Sequence, residues 1–447
     1  MRLSASDLSP PAELLEIADT LESRGFQAWA VGGAIRDELL GQSRKDWDLA
    51  TDARPEDVRG VFRRTVPLGI EHGTVGVIAP GGTMFEVTTF RRDIETDGRH
   101  AVVEFADTID EDLARRDFTI NAIAWRPATE ELADPWNGRA DLEQRILRAV
   151  GDPTQRVAED YLRVLRGLRF AGRYRLEIEP GTRTALESGV EGTAGLSAER
   201  VREELEKVLA GPQPSVALGL YAELGVLHIW YPEIASASGH ARWAFDLAAV
   251  DALPAEPPEL RLTRWLLSAA EVGRSREEDA ETAGDTRAGL GATMLRRLRC
   301  SNATIHRVTH LMRHYLPMVG PLDSAARIRE WLSEVGVESA STLFELHLAY
   351  ARAARATETE RYLQAARQRV EEEIGGAPPL ELADLAIGGE ELLALGVQEG
   401  PAIGILLHEL HARVLEDPDL NDPGTLAELA RELIEIGGLG RGGSSRR

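Results

Sequence analysis

Near residue 150 the chain changes its pattern, and that change limits what it can fold into. From about Leu14 to Ala149, short apolar runs alternate with glycine turns; from about Gly151 apolar positions recur at helical spacing almost to the end. The first part predicts an α/β head, a small mixed sheet with helices, and the second an all-α continuation. With 447 residues, 43% of them hydrophobic, the chain is long enough for several packed cores. Pro212 to Pro214 and Leu253 to Pro258 are expected breaks between helical groups. Glu271 to Gly291 is polar, acidic and glycine-bearing, so a mobile loop is expected there, and Gly437 to Arg447 is expected to be a frayed end.

The chemistry concentrates in the head. FQAWAV, Phe26 to Val31, reads as a strand that runs into Gly32-Gly33 and then a helix ending at Gly41. Two glycines let the backbone approach a ligand. The helix start offers N–H groups to phosphate, and Arg36 on the first turn can reach the same anion. A Gly-Gly turn alone is mostly only a turn. No GxxxxGK[ST] loop is present, which excludes a P-loop enzyme. Next comes Lys45-Asp46-Trp47-Asp48-Leu49-Ala50-Thr51. Residues two apart on a strand share a face, so Asp46 and Asp48 point together while Trp47 and Leu49 enter the core. In FEVTTF, Glu86, Thr88 and Phe90 share one face and Phe85, Val87 and Thr89 the other. Adjacent carboxylates repel, and a divalent cation relieves that repulsion. Asp46, Asp48 and Glu86 are therefore the candidate catalytic and metal-binding triad, holding one or two Mg2+ ions. Such a site activates a hydroxyl, neutralises a triphosphate and stabilises leaving pyrophosphate. A lone Asp-x-Asp is more often a solvated strand end; its place after Gly-Gly-x-x-Arg-Asp makes it specific.

A formal net charge of −23 argues at first sight against RNA binding. Lysine, however, occurs only at Lys45 and Lys207, so arginine carries nearly all the positive charge. Arginine grips phosphate bidentately and stacks on bases. Genome composition or salt adaptation accounts for the total; where the arginines cluster matters more. Cys300 is the one cysteine, which excludes internal disulfides and cysteine metal clusters. No apolar run suffices to cross a bilayer, and the N-terminal stretch lacks the signal-peptide pattern, so a cytoplasmic protein without membrane association is expected.

GGAIRDELLG followed by KDWDLAT resembles the signature of class II tRNA nucleotidyltransferases and bacterial poly(A) polymerases. The resemblance continues in order. Arg115-Arg116-Asp117-Phe118-Thr119-Ile120-Asn121-Ala122 is similar to the family's second motif, which implies ribose and phosphate contacts for Arg115, Arg116, Asp117 and Asn121 beside Gly32, Gly33 and Arg36. Asp134-Pro135, Gly138 and Asp141-Leu142 resemble the third motif, a hinge; Glu159-Asp160-Tyr161-Leu162-Arg163 the fourth, which reads the base; Leu196 to Leu209 the fifth, a neck helix. Gly400 to Asn421 is more weakly similar to the family's tRNA-binding tail. The family implies a nucleotidyltransferase head over 1–150, a helical neck over 151–235, a body over 236–375 and a tail over 376–447. It also implies attack of a tRNA 3′ hydroxyl on the α-phosphate of CTP or ATP, with tRNA, CTP and ATP as partners and no obligatory protein partner.

In the fourth motif, Asp160 and Arg163 would share one helix face. Aspartate accepts and arginine donates. Cytosine and adenine each show an amino donor beside a ring-nitrogen acceptor, while uracil and guanine show the reverse, so one Asp/Arg pair can admit CTP and ATP and reject UTP and GTP. The bland alternative is an ordinary surface ion pair. Further along, Arg166, Arg169 and Arg173 continue the arginine face opposite a stripe of Leu162, Leu165 and Leu168, and Arg166 and Arg169 are expected to contact nucleotide or RNA. Arg91 to His100, including Asp97-Gly98-Arg99, resembles the flexible loop of members that add the terminal A. Full CCA addition is therefore expected, ahead of A-only addition and of poly(A) polymerase. A non-catalytic RNA-binding module is a rival of another class, opposed by the intact acids. His306, His310 and His314 invite a metal phosphohydrolase reading, but no His-Asp dipeptide occurs, so surface or core roles are expected.

Overall fold

Seven short strands form the sheet of the N-terminal half. The structure, a computed structural model, describes residues 8–42, 47–70, 73–96, 101–270, 280–315 and 322–437. The head begins with α1 (Ala12–Glu22), which buries Leu14, Ile17, Ala18 and Leu21 at helical spacing. Next come β1 (Ala28–Val31), α2 (Gly33–Leu39), β2 (Asp48–Thr51), α3 (Pro55–Val61), β3 (Thr65–Pro67), β4 (Thr74–Ile78) and β5 (Met84–Thr89). A separate antiparallel hairpin, β6 (Arg91–Thr96) with β7 (Ala101–Phe105), precedes α4 (Ile109–Ala114). Thr108 and Glu111 cap α4 reciprocally. The head closes with β8 (Ala124–Arg126), β9 (Glu131–Ala133), α5 (Gly138–Gln144) and β10 (Ile146–Leu147).

The sheet order is β3-β4-β5-β2-β1-β8-β9. β2 and β5 run parallel, and the other neighbours run antiparallel. The sheet is thus mixed, as expected. All four residues of the central β1 are buried, which is why that strand reads as a continuous apolar run. Trp29, Val31, Ala50, Phe90, Ile109 and Leu113 belong to the core beneath it. Phe90 departs from the expected face: β5 ends at Thr89, and Phe90 turns inward and is fully buried.

Helices then take over: α6 (Pro153–Glu159), α7 (Leu162–Tyr174), α8 (Pro180–Gly189), α9 (Ala198–Leu209), α10 (Pro214–Glu223), α11 (Val226–Trp230) and α12 (Pro232–Ser238), with the short β11 (Glu177–Ile178) pairing in parallel with β10. The expected breaks hold, since α9 stops before Pro212 and α10 starts at Pro214.

The chain divides into two compact units, Met1–Ser238 with Arg297–Arg299, and Gly239–Arg296 with Cys300–Arg447. Helices of the second unit include Trp243–Asp251, Pro258–Ala270, Asn302–Arg313 and Val337–Ala353. Part of the expected mobile loop is instead helix, Ala280–Arg297. Its glycines had suggested a loop. A Cβ on Gly284 would lie 2.7 Å from the Arg313 carbonyl oxygen, and one on Gly291 2.4 Å from the Met312 sulfur. Glycine there serves close helix approach rather than flexibility. Residues 271–279 and 438–447 lie outside the described residues. No described helix is long and apolar enough to cross a membrane.

A polar network lies inside the second unit. The buried Arg264 donates to Asp246, and Tyr315 stacks on His347 at 4.0 Å between ring centroids. Burial, then the charges of Arg264 and Arg287, push the His347 pKa from 6.5 down to about 3. The unfolded chain therefore takes up this proton below pH 6.5, whereas the folded chain resists it until about pH 3. Stability from this group is complete above pH 6.5 and falls as the medium acidifies, by about 2 kcal/mol at pH 5. His347→Phe is expected to make the change in urea midpoint between pH 7 and pH 5 smaller than in wild type; an unchanged difference would show that His347 does not drive acid sensitivity.

Candidate active site

At the β1–α2 junction Gly32 has φ +76°, and a Cβ there would lie 2.8 Å from Arg116 Nη1. Glycine is thus favoured by the backbone angle, and any side chain there would also push the Arg116 guanidinium aside. Arg36, expected to meet an anion, is buried and engaged. Its guanidinium pairs with Asp37 at 2.8 Å, donates to Asn121 Oδ1, and lies 5.0 Å and 4.6 Å from the ring centroids of Phe170 and Tyr174. The Tyr174 hydroxyl donates to Asp37 at 2.7 Å. Arg36 therefore ties α2 to α7 as well as lining the cavity beside it.

Asp48 and Glu86 are brought together by the parallel pairing of β2 and β5, where they are register partners. Both are exposed, while Trp47, Leu49, Phe85 and Val87 are buried, so the expected alternation is observed. Two carboxylates side by side offer the hard oxygen donors that suit a divalent cation such as Mg2+. Asp46, the third member of the expected triad, lies outside the described residues, and among the described residues no group of three or more His, Cys, Asp or Glu is placed to hold a metal.

The opposite wall is built from α4 and the turn after it. Asp112, buried within α4, meets Arg115 at 3.3 Å and Arg116 at 3.0 Å. Burial pushes the Asp112 carboxyl up, but Arg116 and Arg115 more than offset this and hold it below the usual range. Asp117 accepts from Arg166 at 2.7 Å and from Asn121 at 2.9 Å. Burial raises its pKa as well; Arg166, the Asn121 amide and the Phe118 N–H outweigh burial and bring it to about 2. Asp117 is thus a fixed anion that orients a cation and an amide.

The base-reading pair needs correction. Asp160 is not on a helix: at φ −156°, ψ 105° it is extended, between α6 and α7. Arg163 stands on the first turn of α7; its backbone N–H donates to the Asp160 carbonyl at 2.9 Å, but the two side chains do not pair. Asp160 accepts from Arg200 at 2.7 Å and from the Leu162 N–H at 3.0 Å. Arg163 donates to Glu159 and to the carbonyl oxygens of Arg156 and Arg115. At the break the Asp160 side chain accepts the Leu162 N–H two residues on, an Asx turn that competes with the helix, and the Tyr161 ring lies where a Cβ on Gly192 would be, at 2.4 Å. Leu162 is only half-buried at the cavity, and Arg169 is 8% exposed, bound to Glu204 at 2.6 Å, so the arginine face is not a solvated one.

One cavity of about 770 Å3 is lined by Asp48, Glu86, Arg115, Arg116, Asp117, Asn121, Asp160, Arg163, Arg166 and Arg169, among others. Sequence reasoning missed Asp112, Arg200, Glu204 and Lys207. Glu204 receives both Arg169 and Lys207 (3.1 Å), and only its helical spacing from Arg200 within LSAERVREELEKVL could have flagged it. Asp97, Gly98 and Arg99 lie outside the described residues. In the second unit His310 Nε2 meets the Val335 carbonyl at 2.8 Å and its ring packs against those of His306 and His314.

A mixed sheet with paired carboxylates on adjacent parallel strands, faced by arginines from a following helix, defines a nucleotidyltransferase head on a helical neck. Residues 28–148 match the family described as Poly A polymerase head domain, and 175–238 match that described as Probable RNA and SrmB- binding site of polymerase A. The CCA-adding enzyme of Levilactobacillus brevis is 34% identical over 407 residues, 89% of this chain and 92% of that one. That of Leuconostoc citreum is 32% identical over 434 residues, 95% and 98% of the two chains. The crystal structure of Bacillus stearothermophilus CCA-adding enzyme in complex with CTP matches with a TM-score of 0.73 at 28% identity, covering 95% of this chain and 98% of that one. The chain belongs to the CCA-adding enzyme family.

Proposed function

We propose that this protein adds C and A, from CTP and ATP, to the 3′ end of tRNA without a nucleic-acid template. The observation that carries the reading is the single cavity in which Asp48 and Glu86 face arginines and the Asp160/Arg163 region. Asp48 and Glu86 would hold the catalytic cation, and Asp46, two residues before Asp48 in sequence, would be the third ligand. When bound, Mg2+ supplies charge neutralisation at the triphosphate and at the leaving pyrophosphate. Arg115, Arg116 and Asn121 bind ribose and phosphates, with Gly32, Gly33 and Arg36 shaping the turn beneath them. Arg166, oriented by Asp117, and Arg169, oriented by Glu204, present charge to nucleotide or RNA. Arg163 donates to the ring nitrogen of C or A, and Asp160 accepts from the amino group. The neck (151–235), body (236–375) and tail (376–447) hold the tRNA. A cytoplasmic location belongs to the same reading, supported by a chain whose single cysteine leaves no internal disulfide to form.

The test is incubation of the protein with tRNA lacking CCA, tRNA ending in CC, and complete tRNA, each with CTP and ATP. The first should gain three nucleotides and the second one, and the third should not be extended. Extension of the CC-ended tRNA alone would mean A-only addition, and long A tails would mean a poly(A) polymerase. Binding without incorporation would leave only an RNA-binding module.

A further inference from the structure

The two residues assigned to base reading are adjacent, oppositely charged and open to the same cavity, yet each is bound to a different partner. Asp160 Oδ2 accepts from Arg200 Nη2 at 2.7 Å, and its Oδ1 accepts from the Leu162 N–H at 3.0 Å. Arg163 gives its Nη1 hydrogens to Glu159 and the Arg156 carbonyl, and one Nη2 hydrogen to the Arg115 carbonyl at 3.1 Å. Lone pairs remain on both Asp160 oxygens, and the Nε–H and second Nη2 hydrogen of Arg163 remain for a ligand. Arg200 stands on the first turn of α9, capped by Ser197, and α9 is anchored by the buried Val201, Leu205, Val208 and Leu209. Its side chain is 36% exposed, lines the cavity and reaches Asp160.

We propose that Arg200 is a positioning residue for base selection: it holds the Asp160 carboxylate away from Arg163, so that the two meet an incoming base as separate acceptor and donor. The inference rests on the base-reading role given above to Asp160 and Arg163. Without Arg200, the cations of α7 left to compensate the Asp160 charge are Arg163, three residues along the chain, and Arg166, which already feels that charge. A collapsed Asp160–Arg163 pair would spend on each other the groups that distinguish an amino edge from a carbonyl edge. Arg200 does not touch the base in this account; it sets the direction of the acceptor, as Glu159 sets that of the donor.

The test compares kcat/KM for CTP, UTP, ATP and GTP on tRNA ending before C74 and after C75, for wild type, Arg200→Met and Arg200→Lys. Arg200→Met is expected to lower the CTP-to-UTP and ATP-to-GTP ratios roughly tenfold, the worth of one charge-assisted hydrogen bond. Arg200→Lys, which keeps the charge, is expected to restore most of the selectivity. Combining Arg200→Met with Asp160→Ala should cost no more selectivity than Asp160→Ala alone, because one acts through the other. If Arg200→Met does not fold, Arg200→Gln serves the same comparison. Fixed ratios among bases, with or without a fall in overall rate, would overturn the proposal, as would a further loss of selectivity in the double variant. A wild type that does not prefer C and A would instead remove the base-reading assignment beneath it.

Discussion

Asp48→Ala and Glu86→Ala are each expected to lower kcat for nucleotide addition by ~10³-fold or more while leaving the melting temperature little changed. The catalytic part follows from charge. On the proposed role, a cation bound by these carboxylates would contribute several kcal/mol to the transition state, and each 1.36 kcal/mol is a factor of ten. The stability part follows from position. Both side chains are exposed at their register pair, and the packing of β2 and β5 is carried by Leu49, Val87 and their buried neighbours. An exposed truncation away from the core shifts stability by no more than ~0.5 kcal/mol. Steady-state kinetics in Mg2+ and a thermal melt on the same samples check both halves. Near-normal turnover would remove the carboxylate pair from catalysis; a large fall in melting temperature with lost activity would make the residues structural.

The sequence was legible where chemistry and periodicity coincide. Strand alternation placed Trp47 and Leu49 inside and Asp48 and Glu86 outside, because the period of a strand leaves no choice once the apolar residues are buried. Asp48 and Glu86 were expected to share one carboxylate cluster, but that they meet as register partners could not be read, since parallel pairing of β2 with β5 depends on chain crossover rather than local pattern. Asp160 went wrong for a local reason. Its spacing from Arg163 is helical, but its carboxylate accepts the Leu162 N–H in an Asx turn, a local alternative to the helix that leaves Asp160 extended between α6 and α7. Gly284 and Gly291 failed in the opposite way, being read as loop residues when they are contact points between helices. Arg36 combines both cases: the motif gave its neighbourhood, while its burial between Phe170 and Tyr174 depends on a helix more than a hundred residues away.

In the second unit, Arg264→Met is expected to cost ~3–5 kcal/mol of folding stability, more than most single substitutions. Arg264, on the helix Pro258–Ala270, and Asp246, on Trp243–Asp251, form an ion pair whose side chains are only 1% and 6% exposed. The guanidinium also donates to the Tyr315 hydroxyl at 3.3 Å and lies 4.9 Å from the Tyr350 ring centroid. Desolvating two charges is costly, and their mutual attraction offsets the cost only while both are present. Removing Arg264 leaves the Asp246 carboxylate in a dry interior; Asp246→Leu alone leaves a buried guanidinium. Replacing both, Asp246→Leu with Arg264→Met, puts apolar volume where the pair was and should recover most of the loss. Urea unfolding of the full chain, followed by far-ultraviolet circular dichroism, checks the four proteins. The two single variants should fall by similar amounts and the double variant by clearly less than their sum. Losing Arg264 also removes one of the charges that disfavour protonation of His347. The Arg264→Met protein should therefore lose less further stability between pH 7 and pH 5 than wild type does. Additive losses in the double variant would show that Asp246 and Arg264 contribute through packing with separate neighbours, not as a coupled pair.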